Sequence, residues 1–115
     1  MRREELYLRD IIEAADAIAQ FISGVDREHF IGNNLVRSAV LQKLTEIGEA
    51  AGRISTELRA RHPNIEWRDI VAFRNIAVHA YFAVNWEIVW TTAVSDSPAL
   101  KEQILRVLTT EFPRT

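Results

Sequence analysis

Apolar residues in this chain recur at alternating steps of four and three, and no other feature limits its fold as strongly. Tyr7, Ile11, Ala14, Ile18, Phe21 and Val25 keep that rhythm, and Leu8, Ile12, Ala15, Ala19 and Ile22 widen the stripe. A helix turns roughly 100° per residue, so these steps gather on one face and predict an amphipathic helix that ends at Gly24. Val40, Leu44, Ile47, Ala51, Ile54 and Leu58 repeat the pattern after Gly32-Asn33-Asn34 and stop before Pro63, with a restart available at Ser55. Between the two, Asp26 is suited to cap a single turn through Phe30. A third helix is expected from about Trp67 to about Tyr81. A fourth is capped by Asn85 and carries Trp86, Val89, Trp90 and Ala93. Asp96-Ser97-Pro98 reads as a fresh cap, with proline in the first turn of a last helix that buries Leu100, Ile104, Val107 and Leu108 and ends near Phe112-Pro113. No segment alternates as a strand would, and no internal repeat is visible. The expectation is all-α: an up-and-down bundle of four to five helices forming a single domain over residues 1–115.

Composition narrows the chemistry. The chain has no cysteine, which excludes disulfides, thiol catalysis and cysteine-ligated metals and agrees with a reducing compartment. Its start is charged and offers no signal-peptide stretch, and no apolar run approaches the roughly 18 residues of a membrane span. A cytoplasmic protein that does not enter a membrane is expected. The net charge of −2 creates no overall positive field. Residues 53–74 are different: Arg53, Arg59, Arg61, Arg68 and Arg74 stand against Glu57, Glu66 and Asp69, a local excess of two positive charges. The first four of these arginines are candidate contacts for RNA phosphates, with a solvated helix face as the alternative.

The expected third helix holds the most unusual group. From Ile70 to Val84 the only polar side chains are Arg74, Asn75, His79 and Tyr81, and the apolar residues around them cover every face. Such a helix should be buried, so Arg74 is expected to pair inside the protein or to open into a cleft or interface, because an unpaired buried guanidinium costs several kcal/mol. On a helical projection Asn75 lies near 100° from Arg74, His79 near 140° and Tyr81 near 340°, an arc of about 160° that lets all four share one cleft. Asn75, one turn before His79, is placed to orient the imidazole or bind a substrate oxygen. The structural alternative is a hydrogen-bonded core histidine and an arginine that ties two helices together through Glu46 or Glu49.

Other features read more simply. Gly48 and Gly52, one turn apart, each cost a helix about 1 kcal/mol relative to alanine, which close approach of a neighbouring helix would offset. Glu46 and Glu49 share a face, best read as solvated rather than metal-binding, and no metal site is expected. His29 and His62 lack partners at ligand spacing and are expected at the surface. Trp67, Trp86 and Trp90 are expected to anchor packing rather than stack on bases.

The spacing from Arg74 to His79, with Asn75 directly after the arginine, resembles the signature of HEPN-domain proteins, and Tyr81 two residues past the histidine resembles the HepT-like toxin branch. The likeness extends through Tyr7-Leu8-Arg9-Asp10-Ile11, Glu46-Ile47-Gly48-Glu49-Ala50-Ala51, Leu58 to Pro63, Trp67 and Val89-Trp90. Many members of that family carry an acidic residue where this chain has Ala80. The resemblance implies a helical bundle that dimerises with its motifs facing, and a ribonuclease that needs no metal or other cofactor and serves as a toxin. It also implies an antitoxin partner, a minimal nucleotidyltransferase that uses ATP and magnesium on its own side to transfer AMP to Tyr81.

Known RNA chemistry suits that implication. Cleavage without a metal needs a base for the 2′-hydroxyl, an acid for the departing 5′-oxygen and positive charge at the phosphate, and imidazole is suited to the first two. One motif histidine per chain suggests that two copies cooperate in a homodimer. Arg74 would then neutralise the phosphate, His79 move protons and Asn75 orient it, while AMP on Tyr81 would add bulk and negative charge where RNA must approach. The competing reading is a non-catalytic helical partner of a nucleotidyltransferase, or a module that binds nucleotide or RNA.

Overall fold

A computed structural model of the chain describes residues 2–76 and 83–113, and every described element is helical. Helix α1 spans Glu4–Phe21, α2 Arg27–Gly32, α3 Asn34–Gly52, α4 Thr56–Arg61 and α5 Trp67–Ala72. A short 3-10 turn, Phe73–Asn75, extends α5. After residues 77–82 come α6, Trp86–Thr91, a π-helical segment, Thr92–Asp96, and α7, Ser97–Glu111. The long helices α1 and α3 pack along each other, α7 closes over α1, and α5 with its 3-10 extension lies across α3.

Local chemistry accounts for most boundaries. Glu4 and Glu5 occupy the first turn of α1, where carboxylates offset the positive end of the helix dipole. Gly24 takes φ 74° just beyond its end, a left-handed conformation that side chains disfavour. Asp26 accepts a hydrogen bond from the His29 amide at 2.9 Å, Asn33 from Val36 at 3.1 Å, and Ser55 Oγ from Leu58 at 3.2 Å. Each of these satisfies an amide that the first helical turn leaves open. The Ser55 cap confirms the restart, because the helix begun at Asn34 breaks after Gly52. Asn85 Oδ1 caps α6 by accepting from both Glu87 and Ile88.

The expected new cap at Asp96 does not form. Asp96 is itself helical at φ −75° and ψ −39°, and its side chain caps nothing. The chain runs unbroken from α6 into α7 because the Ser97 amide donates to the Thr92 carbonyl, five residues back. Pro98 cannot donate an amide, and the wider π turn just ahead of it lets the helix pass that position without ending.

The core follows the apolar stripes. Leu8, Ile11 and Ile18 from α1 meet Val40, Leu44 and Ile47 from α3 and Ile104 and Val107 from α7, all essentially removed from water. Phe30 on α2 is fully buried and packs on Trp90, ring centroids 5.1 Å apart. Trp67 is buried and donates from Nε1 to the His62 carbonyl at 3.0 Å, and the Arg37 guanidinium covers the Trp86 ring at 4.7 Å. The three tryptophans are thus packing anchors. No described helix is long and apolar enough to cross a membrane.

Candidate active site

The turn bearing Arg74 is pressed onto α3 at two glycines. A Cβ built on Gly48 would lie 3.0 Å from the Ile70 carbonyl oxygen and 3.1 Å from the Phe73 carbonyl carbon, with the Arg74 backbone nitrogen nearer still. One turn later a Cβ on Gly52 would lie 2.8 Å from Arg74 Nη1. Real Cβ atoms essentially never come as close to a neighbour as one on Gly48 would to the Arg74 backbone nitrogen, so only glycine at 48 lets α5 approach this closely, whereas at Gly52 the nearest neighbour is the tip of a flexible side chain. The close contact expected of Gly48 and Gly52 is therefore present, and what it seats is the candidate motif itself.

The expected burial of this helix on every face is corrected in its described part, where Arg74 opens outward instead of pairing inside the protein. The α-helix stops at Ala72, and Ala72, Arg74 and Asn75 are exposed, while Trp67 and Ile70 are buried and Phe73 is half-buried. On α5, α3 covers the side that carries Trp67 and Ile70, while Arg68, Asp69 and Ala72 are exposed. Arg74 therefore needs no internal counter-ion. Its proposed tie to Glu46 or Glu49 is absent: Glu46 pairs with Lys43 at 3.2 Å, and both carboxylates line a groove of about 590 Å³ against α1, with Tyr7 and Arg53. Arg74 and Asn75 stand side by side on the 3-10 turn. His79 and Tyr81, the other expected site residues, lie outside the described residues, as does the expected end of that helix.

The four arginines expected to contact phosphate divide into two pairs. Arg53 and Arg68 are exposed and make no hydrogen bond or ion pair with a described residue. Arg59 is half-buried and donates from Nη2 to the Ala51 carbonyl at 2.9 Å, so it serves the C-terminal end of α3. Arg61 grips Glu111 through Nη2 at 2.8 Å and Nε at 3.0 Å.

Glu111 also meets His62 Nε2 at 2.8 Å, and this overturns the reading of His62 as a surface residue, since only 15% of its side chain is exposed. The Arg61 guanidinium, then His62, hold the Glu111 carboxyl down to about 2. This cluster ties α4 to the end of α7. Reading the sequence missed it because its halves lie 50 residues apart, and a lone glutamate near the end of an amphipathic helix carries no local sign of a partner. His29 remains at the surface as expected, beside Asp26. Among the described residues no group of three or more histidines, cysteines or carboxylates converges on a point.

The described helices form a HEPN-like helical bundle. The chain belongs to the HepT-like family, described as Ribonuclease HepT-like, whose pattern it matches over residues 11–107. It is 34% identical over 103 residues to a protein of Methanocaldococcus jannaschii named "Putative RNase MJ1380", covering 90% of this chain and 94% of that one. It is 36% identical over 100 residues to "Probable ribonuclease HepT" of Thermococcus cleftensis, covering 87% of this chain and 91% of that one. No solved structure matches it.

Proposed function

We propose that this protein is a metal-independent endoribonuclease, the toxin of a toxin-antitoxin pair, and that it works as a homodimer. The observation that carries the reading is the exposed Arg74-Asn75 pair on its glycine seat in a chain of the HepT-like ribonuclease family. Arg74 holds the scissile phosphate of RNA and balances the charge that grows on it. His79 of one copy takes the 2′-hydroxyl proton as the 2′-oxygen attacks phosphorus. As the bond to the 5′-oxygen breaks, His79 of the second copy, in its protonated form, gives that oxygen a proton. Asn75 orients one of these imidazoles. Arg53 and Arg68 suit further phosphate contacts, because both are exposed without an ion pair to a described residue, whereas Arg59 and Arg61 are already engaged. A nucleotidyltransferase antitoxin silences the site by transferring AMP to Tyr81.

The test is cleavage of single-stranded RNA in EDTA by wild type and His79→Ala. The substitution should lower the rate about 10²-fold or more, the usual scale for loss of a general acid or base. Equal cleavage by both proteins would refute the mechanism, and absence of cleavage by the wild type would leave a helical binding module as the better account.

A further inference from the structure

Gly48 and Gly52 face different parts of the same arginine. At Gly48 the atoms that a Cβ would strike all belong to backbone, the Ile70 oxygen, the Phe73 carbonyl carbon and the Arg74 nitrogen. At Gly52 the nearest are the tip of the Arg74 side chain, Nη1 at 2.8 Å and Cζ at 3.8 Å, followed by Val71 Cγ1 at 3.8 Å. Gly48 thus admits the chain, and Gly52 admits the charge.

The place where that charge rests has its own electrostatics. Gly52 is the last residue of α3, and the final carbonyls of a helix carry partial negative charge that favours a cation. Arg59 already uses this end by donating to Ala51. Arg74 is otherwise exposed and makes no hydrogen bond or ion pair with a described residue, so its long side chain has few other restraints. We propose that Gly52 is a positioning residue: its bare Cα lets the Arg74 guanidinium lie against the end of α3, and so sets where the positive charge meets RNA phosphate. The second half of this inference rests on the ribonuclease reading above.

Gly52→Ala tests it. The new methyl meets the far end of a flexible side chain, so the guanidinium is expected to swing away while the backbone stays, and alanine favours the helix. The variant should melt no lower than wild type, and the Arg74 Nε–Hε resonance in a ¹⁵N spectrum should move. Affinity for a 2′-O-methyl RNA oligonucleotide, which lacks the attacking hydroxyl, should fall about 10-fold, the scale of a displaced charge-assisted contact. Arg74→Ala should weaken binding at least as much, and the double variant should match Arg74→Ala alone. An unmoved resonance, a lower melting temperature, or a full additional loss on top of Arg74→Ala would each overturn the positioning role. The two readings fail separately: a moved resonance with wild-type protein that binds no RNA would overturn the phosphate role of Arg74 and leave the seat at Gly52 supported.

Discussion

Replacing Gly48 with alanine should both weaken the fold and displace the motif. The added methyl would have to sit 3.0 Å from the Ile70 oxygen and 3.1 Å from the Phe73 carbonyl carbon, and nearer still to the Arg74 nitrogen, where ordinary contact begins at 3.4 Å. None of these atoms can swing aside as a side-chain tip can, so α5 and the turn after it must retreat from α3. Forcing an extra methyl into a packed contact costs about 1–3 kcal/mol, and the backbone neighbours here argue for the upper half of that range. The better helix propensity of alanine returns about 1 kcal/mol, which leaves a net loss of about 1–2 kcal/mol. For a chain of this length that corresponds to a melting point lower by roughly 4–8 °C. Retreat of the turn by about 1 Å would also move Arg74 and Asn75, at a cost of up to about 10²-fold in RNA cleavage. Urea denaturation with an unchanged slope, followed by cleavage assays at a temperature where both proteins are folded, separates the two effects. A Gly48→Ala protein as stable and as active as wild type would refute the close seat.

Further outcomes follow from the same arrangement. Light scattering at micromolar concentration should report a homodimer, and a 13.2 kDa monomer would count against two-copy catalysis. Incubation with the cognate nucleotidyltransferase and ATP should add AMP to wild type and stop cleavage, while Tyr81→Phe should escape modification and still cut RNA. Mass spectra showing equal modification of both proteins would remove Tyr81 from that role. The Glu111 carboxyl is held at about 2 rather than 4.5 by Arg61 and His62, so its contribution to stability is present above about pH 4.5 and is lost as pH falls toward 2. Glu111→Gln should therefore be less stable than wild type at neutral pH, with the difference shrinking through that acid window. A difference that stayed constant from pH 7 to pH 2 would show that the cluster adds nothing by charge.

Sequence alone determined the helical class, the stripes that became the core, and the caps at Asp26, Ser55 and Asn85. Each of these is decided within about four residues, by a side chain reaching its own first turn or by the 3.6-residue period. It also singled out Arg74 and Asn75, since charged and amide side chains stand out in an apolar run. The cap expected at Asp96 failed within that same range, because a π turn offered the chain a way past Pro98 that residue preferences do not reveal. Only the tertiary structure decided which side of the apolar segment is covered. Burial depends on what packs from elsewhere in the chain: α3 covers Trp67 and Ile70, while Arg74, whose guanidinium rests beside Gly52 at the end of α3, stays exposed. The same holds for Glu111 and His62, whose pairing exists only because α4 and the end of α7 meet. Gly48 and Gly52 mark the boundary between the two kinds of knowledge. Their cost to a helix is a local property and announced a close approach, but the identity of what approaches, the backbone and guanidinium of Arg74, was set by the packing of two helices distant in sequence.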